Sequence, residues 1–215
     1  GKPGLGELVT AILTAFPALA RLRLSSLDGI EIDERLLELL INERRVMPHV
    51  HLSLQHGDDL ILKRMKRRHL RRDAVNLVQD LRRHRPEIAI GADLIAGFPT
   101  EDEAAHAANL AIIAELKIVH GHVFPYSARA GTPAARMPQV PVQAIRMRAA
   151  ELRQAVARQR QAWLETLLGL PQEVLAERDG TGHAPNFARV KLPPGTQAGS
   201  IVTVTPTRIV EGLLA

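Results

Sequence analysis

Four stretches of this sequence read as buried strands, and each closes on a short polar or glycine-rich turn. They are Arg21–Ser26, His49–Gln55, Ile88–Gly97 and Ile118–Tyr126. Helical stretches separate them, so the strands are expected to run parallel with their carboxyl ends on one rim. In parallel α/β folds that rim is where ligands bind. Its turns are Ser25-Ser26, Gln55-His56-Gly57, Gly97-Phe98-Pro99-Thr100-Glu101 and Tyr126-Ser127.

The spacing of apolar residues predicts helices over Leu5–Phe16, Asp33–Asn42, Arg71–Arg85 and Glu101–Leu116. Asp33 is the expected N-cap of the second. Asp58 and Asp59 suit the first turn of a further helix, where the dipole is positive. Thr100 with Glu103 reads as a capping box. The βα alternation implies an α/β fold with a parallel sheet or an incomplete barrel. A proline- and glycine-rich connection covers 127–140, and Pro141–Leu168 reads as a long basic helix ended by Gly169-Leu170-Pro171. Beyond it, Glu173–Glu177, Phe187–Leu192, Ile201–Thr205 and Arg208–Leu213 alternate as short strands between turns at Gly180-Thr181-Gly182, Pro193-Pro194-Gly195 and Gly199. The expected organisation is a partial barrel at 1–140, a connecting helix at 141–171 and a small all-β domain at 172–215.

Only 3% of the chain is aromatic against 46% hydrophobic, so the core must be built from Leu, Ile, Val and Ala. A net charge of +5 favours a polyanionic partner. No apolar run approaches the ~20 residues of a membrane helix, and no secretory leader opens the chain. A cytoplasmic protein with no membrane partner is expected. The start at Gly1 rather than Met suggests a piece of a longer protein. Cysteine is absent, which excludes disulfides, thiol catalysis and any cysteine-ligated cluster held by this chain alone.

Strand alternation places Arg23 with Ser25, His51 with Ser53 and Gln55, and Gly91 with Asp93 on shared polar faces, opposite Leu22, Leu24, Val50, Leu52, Leu54, Ile90 and Leu94. A polar inner wall suits a ligand-holding cavity; the plainer alternative is a satisfied core network such as Arg23 paired with Asp93. His49/His51 and His120/His122 are His-x-His pairs of the kind that bind zinc. They lie early in their strands, with His49 roughly 20 Å from Gln55 at strand rise, so no metal ligands are assigned. The run Lys63–Arg72 carries seven basic residues in ten, either a solvated helix face or a phosphate-binding patch beside the rim. Arg146, Arg148, Arg153, Arg158 and Arg160 extend the positive field. Gly97-Phe98-Pro99-Thr100-Glu101 permits close backbone approach and offers a helix start to an anionic group.

Several phrases together resemble one family: Arg23-Leu24-Ser25-Ser26-Leu27-Asp28, His51–Gln55 with Gly57-Asp58-Asp59, Leu62–Arg68, Asp93–Glu101, and Pro125-Tyr126-Ser127 with Arg129 and Gly131–Ala134. They look like the radical S-adenosylmethionine methylthiotransferases, in particular the branch that modifies threonylcarbamoyladenosine in tRNA. The resemblance implies a partial TIM-like radical barrel of strands three to six and a C-terminal RNA-binding TRAM domain. It also implies that the 4Fe-4S cluster ligands lie in a missing N-terminal part of the same enzyme. The family makes a 5′-deoxyadenosyl radical from S-adenosylmethionine and inserts a methylthio group into adenine. By the same analogy Ser25, Gln55, Asp93, Gly97 and Phe98 would contact the cofactor, while Arg67, Arg68, Arg189 and Lys191 would contact tRNA phosphates. No catalytic residue is assigned, and the chain alone would not turn over. His56 stands where the family usually has Ser, and Ala128 and Ala130 replace prolines. The alternatives are a methylthiotransferase acting on isopentenyladenosine or on a ribosomal protein, a stand-alone RNA-binding module, and a metal-dependent barrel hydrolase.

Overall fold

Strict apolar alternation in the middle of the chain yields one parallel sheet. The computed structural model describes residues 4–215. Its first sheet has the order β1-β2-β3-β4, with β1 at Ser26–Leu27, β2 at His49–Gln55, β3 at Ala89–Ala96 and β4 at Ile118–Pro125, all in parallel register. α1 (Leu5–Ala15) precedes the sheet, and between its strands lie α2 (Glu34–Asn42), α3 (Asp59–Arg64), α4 (Arg71–His84) and α5 (Glu103–Glu115). Val50, Leu52, Leu54, Ile90, Ala92 and Leu94 share a core with Leu36 and Leu40 of α2, Val78 and Leu81 of α4, and Ile112 and Leu116 of α5. Each such fully buried aliphatic side chain contributes about 1.5–3 kcal/mol.

The helix α6 (Val142–Glu165) follows the connection predicted at 127–140 and packs on β4. Its contact is close because β4 carries Gly121, where a Cβ would lie 2.5 Å from Val156 Cγ2. The second sheet contains β5 (Gln172–Ala176), β6 (Thr181–His183), β7 (Arg189–Lys191), β8 (Ile201–Val204), β9 (Ile209–Val210) and β10 (Leu213–Leu214), in the order β8-β5-β6-β7-β10-β9. It is mixed: β10 runs parallel to β7, and the other pairs are antiparallel. Val174, Ala184, Val190 and Leu214 form its core with Leu164 of α6.

Four expectations about elements are corrected. The strand predicted at Arg21–Ser26 is reduced to Ser26–Leu27, with one isolated bridge from Leu22 to Val46 upstream. The arginines of that segment reach the second sheet instead: Arg23 donates to the carbonyls of Pro185 and Ala184 at 2.9 and 2.6 Å, and Arg21 to those of Glu173 and His183. Thr100 and Glu103 form no capping box. Asp102 caps α5, accepting the Ala105 amide at 2.8 Å, while Thr100 has φ +70. Of Gly180-Thr181-Gly182, read as a turn, Thr181 and Gly182 belong to the strand Thr181–His183. The strand predicted at Arg208–Leu213 is a hairpin, bent at Glu211 and Gly212, which have φ +51 and +75.

Candidate functional site

The turns after β2 and β3 are held by one buried cluster. Glu101, 4% exposed, accepts the Gly97 amide on Oε2 at 2.9 Å. His56, fully buried, bonds the same oxygen through Nε2 at 3.0 Å, and its Nδ1 accepts the Asp58 amide at 3.0 Å. From α6, Arg148 donates to the Glu101 carbonyl at 2.8 Å and to Oε1 at 3.1 Å. Burial opposes the charge on Glu101, but the His56 bond, the Gly97 amide and Arg148 outweigh it and hold the carboxyl below its ordinary range. Asn109 of α5 ties the same two turns, accepting the Gly57 amide and donating to the Ile95 carbonyl. Gly97 has φ +73, which favours glycine.

These turns open onto a cleft of about 420 Å³ lined by Gln55, Arg64, Met65, Lys66, Arg67, Ile95, Phe98, Thr132, Pro133 and Ala134. Its floor is apolar, and its wall carries three cationic side chains. Gln55 sits there in a left-handed backbone conformation, φ +70, where the β2–β3 register slips. A smaller cavity of about 160 Å³ between β2 and α4, lined by Leu52, Leu54, Ala74 and Leu77 among others, holds none of the expected contact residues.

Just below the rim, on the face turned away from the helices, Asp93 collects three partners. His51 Nε2 lies 2.9 Å and His122 Nδ1 3.1 Å from Oδ1, and Ser26 donates to Oδ2 at 3.1 Å while sharing a hydrogen bond with Ser53. Burial raises the Asp93 carboxyl, yet His51, Ser26 and His122 more than offset it and hold it below the usual range. Arg23 takes no part, contrary to the alternative that paired it with Asp93. Ser25 does not join this face either. Strand pairing begins at Ser26, opposite His51, so the phase expected from Arg21 is shifted by one residue, and Ser25 is exposed.

The two His-x-His pairs therefore divide by position. His49 stacks on Phe187 at 4.7 Å, and His120 meets His49, Phe187 and Trp163 edge-on. Burial, with nearby positive groups, pushes His49 down to about 3 and His120 down to about 2. They are neutral packing groups. His51 and His122 instead flank the carboxylate. No spacing rule in one strand could have shown that pairing, because it arises from the β3–β4 register of Asp93 opposite His122.

The basic run is neither wholly solvated nor wholly available. Lys63, Lys66, Arg68 and Arg72 are exposed. Arg64 donates to Thr100, Arg67 to Asp28 and the Ser53 carbonyl, and Arg71 to the carbonyls of Gly57 and Ala108. Arg148 is buried, so it adds nothing to the outer positive field. Arg146, Arg153 and Arg158 are exposed. In the second sheet Arg189 is paired with Asp179 at 2.5 Å, and Lys191 is exposed.

Residues 20–111 match the radical SAM superfamily. The chain is 44% identical over 214 residues, its full length, to 51% of the threonylcarbamoyladenosine tRNA methylthiotransferase MtaB of Rickettsia prowazekii. It is 35% identical over 218 residues to the protein of that name from Chlamydia pneumoniae, covering 98% of this chain and 52% of that one. A third relative, the tRNA-2-methylthio-N(6)-dimethylallyladenosine synthase of Agrobacterium fabrum, is 35% identical over 96% of this chain and 47% of its own length. The chain thus spans about half the length of the curated relatives it matches.

Proposed function

We propose that this chain, whose residues 20–111 match the radical SAM superfamily, is part of a tRNA methylthiotransferase acting on threonylcarbamoyladenosine. The observation that carries this reading is the 44% identity along the full chain to a relative of that name, set beside a cationic cleft at the strand ends. The 35% identity to the dimethylallyladenosine synthase supports the alternative substrate less strongly.

The residues present fit S-adenosylmethionine. Met65, Ile95 and Phe98 offer an apolar slot for adenine, Gln55 an amide for ribose hydroxyls, and Arg64, Lys66 and Arg67 charges for the carboxylate. Arg67 Nε is buried there without a protein partner, a free donor beside the cleft. The Gly97 turn, clamped by Glu101, positions Phe98 against Tyr126 with ring centroids 5.3 Å apart. The cofactor would supply hydrogen-abstracting chemistry, and these residues would bind it, orient it and exclude water. An iron–sulfur cluster does not fit this chain, which has no cysteine; cluster ligands would have to come from outside it.

The second sheet, at 172–215, is proposed as a TRAM-type RNA-binding domain, with the partial barrel at 1–140 and α6 as the connector. Arg68 and Lys191, both exposed, are the foremost candidates for tRNA phosphate contacts, with Arg189 beside its Asp179 partner and Arg67 held by Asp28. No helix among the described residues is long and apolar enough to cross a membrane; work on tRNA would place the protein in the cytoplasm. The test is nucleoside mass spectrometry of tRNA from cells lacking the gene that encodes this chain and from cells in which it is restored. Loss and return of the 2-methylthio derivative of threonylcarbamoyladenosine is expected. A change confined to the isopentenyladenosine derivative would move the substrate to the other branch, and no change in either would overturn the reading.

A further inference from the structure

We propose that His51, Asp93 and His122 bind one divalent first-row transition metal ion of the zinc type, on the open face of the parallel sheet. One nitrogen of each imidazole and one carboxylate oxygen converge, all within 4.8 Å of one another. Both nitrogens face the same atom, Asp93 Oδ1, at 2.9 and 3.1 Å. A tetrahedral zinc with bonds of about 2.0–2.2 Å keeps its ligand atoms roughly 3.3 Å apart, so the two nitrogen–carboxylate distances would each have to open by a few tenths of an ångström, while the two imidazole nitrogens, within 4.8 Å of one another, close onto the ion through the exposed His122 ring. Two imidazoles and a carboxylate match the ligand preference of zinc and iron(II), whereas calcium and magnesium favour oxygen. Three protein ligands leave at least one coordination position open, and His122, with its side chain 65% exposed, places that opening toward solvent.

Two features beyond the ligands themselves fit this reading. The free oxygen of Asp93 accepts Ser26 Oγ, which in turn meets Ser53, the outer support that fixes a ligating carboxylate. Beneath His51, β3 carries Gly91, where a Cβ would lie 2.3 Å from His51 Nδ1, so the strand leaves room for the ring to lie in that position. His49 and His120 lie outside the set, their rings packed against Phe187 and Trp163. Asp93 then acts as a metal ligand rather than a direct contact to a nucleoside cofactor. The inference is independent of the proposed methylthiotransferase activity, and the nucleoside assay and the metal assay can fail separately.

The experiment is a titration of the purified chain with Co²⁺, followed by visible absorption and by displacement with Zn²⁺. Because the chain lacks cysteine, no thiolate can contribute to the spectrum. One Co²⁺ per chain is expected, with the strong absorption of a four- or five-coordinate site. Asp93→Asn and His122→Ala should each weaken binding by about 100-fold or more, and Ser26→Ala by about 10-fold. His84→Ala, on the exposed end of α4, should leave it unchanged. His122 is exposed and Asp93→Asn conserves volume, so circular dichroism should show both variants folded. Superimposable titrations for wild type, Asp93→Asn and His122→Ala, or no uptake of Co²⁺ at all, would overturn the proposal.

Discussion

Because Nδ1 of His56 accepts a backbone amide, its ring must carry the proton on Nε2, which donates to Glu101 Oε2. The neutral imidazole therefore satisfies one donor and one acceptor in a place with no access to water. A serine, the usual residue of the resembled family at this position, is too short to bridge the same two groups. His56→Ser should leave the Asp58 amide or the Glu101 carboxylate without its partner, and an unsatisfied buried group costs about 1–3 kcal/mol. Urea unfolding of the variant measures that loss directly. A change smaller than about 0.5 kcal/mol would mean that the bridge contributes little, since surface substitutions alone move stability that far.

At the level of elements, α6 reaches into the rim through one side chain, Arg148, 4% exposed and bonded to Glu101 and Glu103. Removing one member of a buried ion pair leaves the other charge uncompensated, at a cost of about 3–5 kcal/mol. Arg148→Met should show that loss, and adding Glu101→Gln should recover much of it, because the amide oxygen can still accept from Gly97. If the double variant is no more stable than Arg148→Met in thermal and urea unfolding, the pair is not what joins α6 to the β3 turn. The helix itself was legible in the sequence as a long basic stretch ended by Gly169-Leu170-Pro171. The inward turn of Arg148 was not: its position among other arginines signals a solvated face, and only the packing of α5 against α6 supplies Glu101. Strands β2, β3 and β4 were legible for a related reason, since alternation fixes which residues face the helices. β1 was not, because Arg21 and Arg23 take their partners from carbonyls more than 150 positions away in the chain. Of the residues singled out in the sequence at the rim, Gln55 and Phe98 line the cleft, whereas the trio at Asp93 depends on pairing across strands.

Across the whole molecule, the parallel sheet and the second sheet meet over Phe187, with His49 on one side, His183 stacked at 4.5 Å, and the Arg23 guanidinium 5.0 Å from the ring centroid. Two of the imidazoles at this junction titrate far below their ordinary 6.5, His49 at about 3 and His120 at about 2, chiefly because burial penalises the charged form. A histidine with a depressed folded pKa binds a proton first in the unfolded chain. Between the ordinary value and the folded one, the unfolded state therefore carries more protons, and stability falls as the solution is acidified. Each group can contribute a slope of about 1.4 kcal/mol per pH unit in that window, or roughly 2 kcal/mol each between pH 7 and pH 5. The held-down carboxyls of Asp93 and Glu101 act in the same direction at lower pH, where carboxylates protonate. Urea unfolding at pH 7 and pH 5 isolates the histidine contribution, with a marked loss expected in the wild-type chain. His120→Leu, which keeps the apolar contacts with Trp163 but cannot take up a proton, should remove about half of that loss. An unchanged pH dependence in the variant, or a flat profile for the wild type, would mean that solvent reaches these rings and that the two sheets are less tightly joined than their packing implies.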